Sequence, residues 1–547
     1  MPPATGDAAR LPGRLAARGG SRVEALLGER RPPATLLAAG VVVGLAALLP
    51  AAYLLVLVVG DAAAALDAAL SSRTAGVLAR TLALTAAVTA GAIAIALPLG
   101  WLTVRTDLPA RRLWATLCTL PLVIPSYVGA YLLIAALGPS GMLQDALGVE
   151  RLPSIYGFAG AWLALTLFTY PLVLIPVRAT LRRIDPQLED AARAMGRRPA
   201  ATFASVVVPQ LWPALAAGGL LVALYVLSDF GAVSIMRFDS FTREIYTTYR
   251  SSFDRTGAAG LGAVLVVLML ALLWVSSRIR GARAVHRLGP GTIRPATPYA
   301  LGRWRWPAIG LCGAVVTVSL VLPVGVLVYW ATKGISSGSV TVATVAALGG
   351  NSLIVAAAAA GIGAVCALVV AILAGRFPSP VSRTLERFSH AGYALPGIVV
   401  ALALVFFATR AVPVLYQTLA MLVFALTVHY LPLATGPIGA SLAQVSPRVE
   451  EAARVLGRTP LEVFRTITVP LVRGGVLAGA ALIFLHAIKE LPATLLLAPI
   501  GFETLATDIW NQTQFGFYEA SAIPALVLLA IAAPPLYLLS ERGTVSA

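Results

Sequence analysis

Residues 35–60 run without one charged side chain, and 261–275 do the same over a shorter stretch. A helix crosses the hydrocarbon layer of a bilayer in about 20 residues, with its backbone hydrogen bonds satisfied inside the segment. Such runs recur along the whole chain, which constrains it to an all-α, polytopic membrane fold. Composition agrees: 58% of the 547 residues are hydrophobic and 12% charged, against roughly a quarter charged in soluble domains. Disordered, collagen-like and disulfide-scaffold chains are excluded by the same figures. Cys118, Cys312 and Cys366 fall in apolar stretches without metal-ligand spacing and read as buried packing residues.

Hydropathy windows give about twelve spans, near 35–60, 79–103, 112–137, 156–178, 212–236, 258–277, 306–331, 351–374, 390–409, 414–440, 471–496 and 520–540. Little room is left for a soluble domain. The expected organisation is a basic cytoplasmic segment 1–34, a six-span half 35–280, a cytoplasmic linker 281–305, a second six-span half 306–540 and a tail 541–547.

The amino-terminal segment carries Arg10, Arg14, Arg18, Arg22, Arg30 and Arg31 against Asp7, Glu24 and Glu29. The run that follows is too long for the core of a cleaved signal and reads as an anchor. Arg30-Arg31 then belongs to a basic cytosolic flank and not to a twin-arginine export signal. With that segment inside, the cytoplasmic stretches hold about three of every four Lys and Arg, which places both termini in the cytoplasm. The net charge of +17 is therefore topological and suits anionic lipid; it does not call for nucleic acid.

The chain matches itself. Residues 185–209 read DPQLEDAARAMGRRPAATFASVVVP and 446–470 read SPRVEEAARVLGRTPLEVFRTITVP, an offset of 261; upstream the offset is 271, pairing Pro125 with Pro396. Six spans per half is an even number, so equivalent segments face the same side and the halves are parallel repeats around an axis along the membrane normal. In the repeated loop, Asp185 or Ser446 can cap a short helix, with Pro186 or Pro447 at its first position. Gly196 or Gly457 can end it in the left-handed conformation. A second short apolar stretch with Phe203 or Phe464 runs on to Pro209 or Pro470. Small residues at 191–192 and 452–453 let another protein surface approach, and the acid before them can take a basic partner or complement the helix N-terminus. Interfacial helices resting on lipid are the plainer alternative, but they do not require the same Ala-Ala, glycine and proline spacing twice.

Glu451, Ala452, Ala453, Gly457, Ile467, Val469 and Pro470 form a pattern that resembles the signature loop of permease subunits of ATP-binding-cassette importers. Asp190, Ala191, Ala192, Gly196, Val206, Val208 and Pro209 repeat it with Asp in place of Glu. The resemblance implies a type I importer transmembrane domain whose two loops dock on a cytoplasmic ATPase dimer. It also implies an alternating-access cycle driven by that dimer, and a periplasmic or lipid-anchored binding protein that delivers cargo at the inner membrane of a prokaryote. The chain has no P-loop of its own, because its two lysines, Lys333 and Lys489, follow Thr332 and Ile488 and not a glycine. No cofactor and no enzyme active site are expected.

Residues 488–510, IKELPATLLLAPIGFETLATDIW, and 227–249, LSDFGAVSIMRFDSFTREIYTTY, look like the iron(III) permeases. Permeation of thiamine, a phosphonate or another small solute is the alternative, and an ion-coupled carrier is a further one. Asp229 and Glu490 are equivalent in the register and lie in the fifth span of each half. Intramembrane carboxylates usually face an interior or a cavity, so they are candidates for the substrate pathway. Capping of a broken helix and neutralisation of Glu490 by Lys489 are the competing roles. His390, His429 and His486 lack the spacing of a metal site and read as hydrogen-bonded packing residues; Tyr127, Tyr131 and Tyr393 read as interfacial anchors.

Overall fold

A computed structural model describes residues 32–138, 142, 144, 148, 154–251, 255–281, 298–338 and 340–545. Most of segment 1–34, most of linker 281–305 and the last two residues of tail 541–547 lie outside the described residues. The first half comprises α1 (Ala34–Gly60), α2 (Ser72–Arg105), α3 (Ser126–Leu137), α4 (Phe158–Leu181), the short α5 (Pro186–Ala194), α6 (Val208–Ser228), α7 (Gly231–Ile235), α8 (Phe241–Ser251) and α9 (Arg255–Gly281). The second half repeats it as α10 (Gly302–Ser337), α11 (Val342–Arg376), α12 (Gly397–Ala411), α13 (Leu419–Gln444), α14 (Pro447–Val455), α15 (Val469–Ala487), α16 (Pro492–Leu497), α17 (Leu505–Gln514) and α18 (Tyr518–Val545). Among the described residues ten helices are long and apolar enough to cross a membrane, or up to twelve if two bent pairs are each one span.

Those two pairs occupy the expected spans 112–137 and 390–409. The chain turns by 96° between Arg111–Val123 and α3, and by 105° between Pro380–Ala394 and α12. Pro125 and Pro396 cause the turns: proline disfavours helical geometry in the residue before it, and Ile124 and Leu395 are extended there (ψ 117 and 138). Beyond the turn, Ser126–Ala135 are buried without a break, as are Gly397–Phe406. A helix that is apolar all round and buried all round belongs to the core of a bundle. The expected fifth spans break too. α6 stops at Ser228 and α15 at Ala487, and the short α7 and α16 follow.

The first span of each half packs on the other half. α1 lies against α11, α12 and the Pro380–Ser389 helix, while α10 touches α3 and α2. Gly40 and Gly44, four residues apart, allow the close approach, because a Cβ at Gly44 would fall 2.9 Å from a Leu385 methyl. Tyr53 of α1 completes the contact edge-on to Phe407 of α12, centroids 5.6 Å apart. The halves are thus interlocked as well as fused.

Candidate functional site

α5 and α14 start with proline at their first positions, where a missing N–H costs nothing. Asp185 caps α5 by accepting from the Gln187 N–H at 3.0 Å; Ser446 makes no such bond, and the second loop is fixed one turn later by a reciprocal box between Thr459 and Glu462. Both helices end in the same left-handed turn. Gly196 (φ +81) and Gly457 (φ +85) hold it, and the Arg197 and Arg458 N–H groups reach back to the carbonyls of Ala192 (3.2 Å) and Ala453 (3.1 Å). Past the turn, Phe203–Val207 and Phe464–Thr468 are single π-helical turns. Pro209 and Pro470 account for them: a proline cannot donate to the preceding turn and its ring crowds that carbonyl. The signature prolines thus widen each helix by one residue where the loop rejoins the bundle.

In both loops the second alanine, Ala192 or Ala453, is buried, while Ala191 and Ala452 are exposed with Gly196 and Gly457. Large apolar side chains are exposed at the helix tips: Met195 at 74%, Val455 at 87% and Leu456 at 83%. Asp190 is exposed and Glu451 half-buried. The acid that ties each loop to the bundle is one residue earlier. Glu189 forms a buried ion pair with Arg105, the last residue of α2. Glu450, also buried, pairs with the partly buried Arg376, the last residue of α11, through Nε at 3.2 Å and Nη2 at 3.1 Å. Breaking one partner of such a buried pair typically costs about 3–5 kcal/mol. The 271 and 261 offsets that align the halves already map Arg105 onto Arg376 and Glu189 onto Glu450, which is the signal that could have located this latch.

The latches are completed differently. Thr468 donates to Glu450 at 3.0 Å. Its counterpart in the first half is Val207, and there Tyr299 of the linker donates its hydroxyl to Glu189 instead. Tyr299 is held by a backbone bridge, its N–H to Arg105 O at 2.8 Å and its carbonyl accepting from Asp107 at 3.0 Å. The Arg193 guanidinium covers its ring at 4.3 Å.

Asp229 and Glu490 stand at the breaks of the fifth spans, both buried. Asp229 accepts from the Ala232 N–H at 2.9 Å and from Ser126, the first residue of α3. Glu490 accepts from the Ala493 N–H at 3.3 Å and from the Tyr430 hydroxyl, not from Lys489. Each carboxylate therefore caps the helix restarting after it and ties that break to the neighbouring helices. The two copies compensate in size. Ser126 corresponds to Gly397, where a Cβ would lie 2.7 Å from Glu490 Oε1; the longer acid sits opposite the missing side chain. Phe230, next to Asp229, stacks 5.1 Å from Trp510 of the other half, so these breaks line the seam.

Tyr127 and Tyr131 are buried there rather than at a membrane interface, and Tyr131 donates to the Tyr518 carbonyl at 3.0 Å. Burial of both follows from the proline turn, which sends α3 into the bundle. The rings of His390, His429 and His486 each hydrogen-bond a backbone carbonyl, at 2.7, 3.0 and 2.9 Å. Cys118, Cys312 and Cys366 are free thiols.

Two fused, interlocked repeats of membrane-spanning helices, each presenting one latched helix with an exposed apolar tip, define a membrane transport permease. Residues 92–279 and 367–540 match the family described as binding-protein-dependent transport system inner membrane component, and the chain belongs to that family. It is 32% identical over 94% of its length to an Fe(3+)-transport system permease protein of Haemophilus influenzae, 99% of which is covered. A ferric transport system permease protein of Actinobacillus pleuropneumoniae is 24% identical over 75% of the chain and 63% of its own length. A molybdenum transport system permease protein of Escherichia coli is 31% identical over 35% of the chain and 90% of its own length.

Proposed function

We propose that the chain is the membrane permease of an importer for ferric iron, with a separate ATPase dimer seated on α5 and α14 and a binding protein delivering cargo on the opposite face. The repeated latch carries the reading: Glu189–Arg105 and Glu450–Arg376 make each exposed helix rigid with the end of a long span, so a push on the helix tilts that span. The iron assignment is supported by the relative that matches nearly end to end. Both coupling loops then face the cytoplasm, as do both termini, and the charge distribution of the loops supports that side.

Asp190, Ala191, Ala192, Gly196, Pro209, Glu451, Ala452, Ala453, Gly457 and Pro470 act in this reading as docking and relay positions. Ala191, Ala452 and the apolar tips touch the ATPase; Ala192, Ala453, Pro209 and Pro470 join the helices to the bundle. Asp229 and Glu490 fix the helix breaks beside the seam, each through bonds within its own half. Reconstitution with the ATPase and an iron-loaded binding protein tests it: iron should enter only with ATP, and insensitivity of uptake to ATP would refute it. An ion-coupled carrier would instead lose uptake when the ion gradient is collapsed.

A further inference from the structure

On the face opposite the coupling helices the seam holds a partly open cavity of about 40 Å³, lined among others by Tyr131, the buried Ser234 and the exposed Arg237 of the first half and by Thr513, Gln514 and Tyr518 of the second. That is room for a few waters or one small polyatomic ion. The lining carries a guanidinium, hydroxyls and an amide, and no carboxylate.

Three observations mark Arg237 and Ser234 as more than packing. Arg237 has a φ of +53, unfavourable for a residue with a side chain, and its N–H is fixed to the Ser234 carbonyl at 3.0 Å. Its guanidinium lies 4.9 Å over the Tyr156 ring, while the acid nearest in sequence, Asp239, is taken by Arg243. Ser234 is 9% exposed, and its Oγ has no hydrogen-bond partner in the protein. The repeat does not reproduce the site: the same register places Leu495 and Ala498 where the first half has Ser234 and Arg237, and Ala498 is extended (φ −61, ψ 145) where Arg237 is left-handed, so both the polar groups and the turn are particular to the first half.

We propose that this cavity is an oxyanion subsite on the transport route and that ferric iron crosses as a complex with a small oxyanion, an inference that rests on the iron-permease reading above. Ferric iron is a hard ion and keeps oxygen ligands. Among the described residues no cluster of three His, Cys, Asp or Glu side chains could hold a metal, and Asp229 and Glu490 are engaged at their helix breaks. On this proposal the ion keeps the ligand it brings. The free oxygens of that ligand meet the forked donors of Arg237, the idle Ser234 hydroxyl and the Gln514 amide.

Vesicles holding the permease and its ATPase, supplied with binding protein carrying radioactive iron together with labelled phosphate or labelled carbonate, test this. One of the two anions is expected to enter with the iron in an ATP-dependent manner. Arg237→Gln and Ser234→Ala should lower iron uptake about tenfold, with partial recovery in Arg237→Lys, while hydrolysis stimulated by the binding protein is kept. Iron entry with neither label, or unchanged uptake in Arg237→Gln, overturns the proposal. So does an equal loss of stimulated hydrolysis, which would show that Arg237 grips an acidic residue of the binding protein. If the unaltered permease moves no iron at all, the iron-permease reading fails first, and the two failures are told apart.

Discussion

Glu189 and Glu450 concentrate the chemistry of the chain into single residues, because each is a buried acid whose partner is the terminal arginine of a long span. Glu450→Ala leaves Arg376 uncompensated and is expected to cost about 3–5 kcal/mol in unfolding measurements. Replacing both residues with methionine should recover stability but not uptake, since the contact then no longer orients α14 through directed hydrogen bonds. Recovery of both would make the pair a packing device only. At the seam, Tyr430→Phe removes a donor from a buried carboxylate and should destabilise by about 1.5–3 kcal/mol, measured by the same unfolding. The Asp-Ala-Ala and Glu-Ala-Ala spacing was legible in the sequence, but the latching acid was not singled out. Linear order shows that Glu189 and Asp190 are adjacent; only the helical turn shows that one is buried and the other exposed.

At the scale of elements, the coupling helix is defined by where it stops. Gly196→Ala and Gly457→Ala put a side chain into a left-handed conformation, expected to cost about 1–2 kcal/mol, while Gly457→Asn should cost less. Co-purification of the ATPase should follow that order, with membrane insertion unchanged. Met195→Glu and Leu456→Glu add charge to exposed apolar tips and should weaken ATPase binding at least about tenfold without loss of fold, readable by titration in detergent. The loop helices, their glycine ends and their boundaries were legible because local chemistry sets them: proline at the first position, glycine after the last. The breaks were not. Windows 112–137, 212–236, 390–409 and 471–496 are apolar enough on average to read as spans, and hydropathy does not tell a straight span from one turned at Pro125 or capped at Asp229. Only Asp229 and Glu490, costly acids in apolar runs, hinted at them.

On the scale of the molecule, the repeat in the sequence pairs the long spans of the two halves but does not say which spans touch, and α1 and α10 each reach across to the other half. Repetition reports equivalence, not contact, and the close approach at Gly40 and Gly44 is what carries α1 across. A chain severed within linker 281–305 should therefore stay associated. Cysteines at Tyr53 and Phe407, in a background with Cys118, Cys312 and Cys366 as serine, should join the two fragments through a short bifunctional reagent; fragments that run apart on a denaturing gel would refute the exchange. The claim on which transport rests is that both repeated helices seat a nucleotide-driven partner. Photo-reactive groups placed at 191 and 452, with buried 192 and 453 as controls, test it in a vesicle assembly that imports iron. Labelling of the ATPase from both exposed positions and from neither control is the expected result, and silence at 191 and 452 in an active assembly would contradict it.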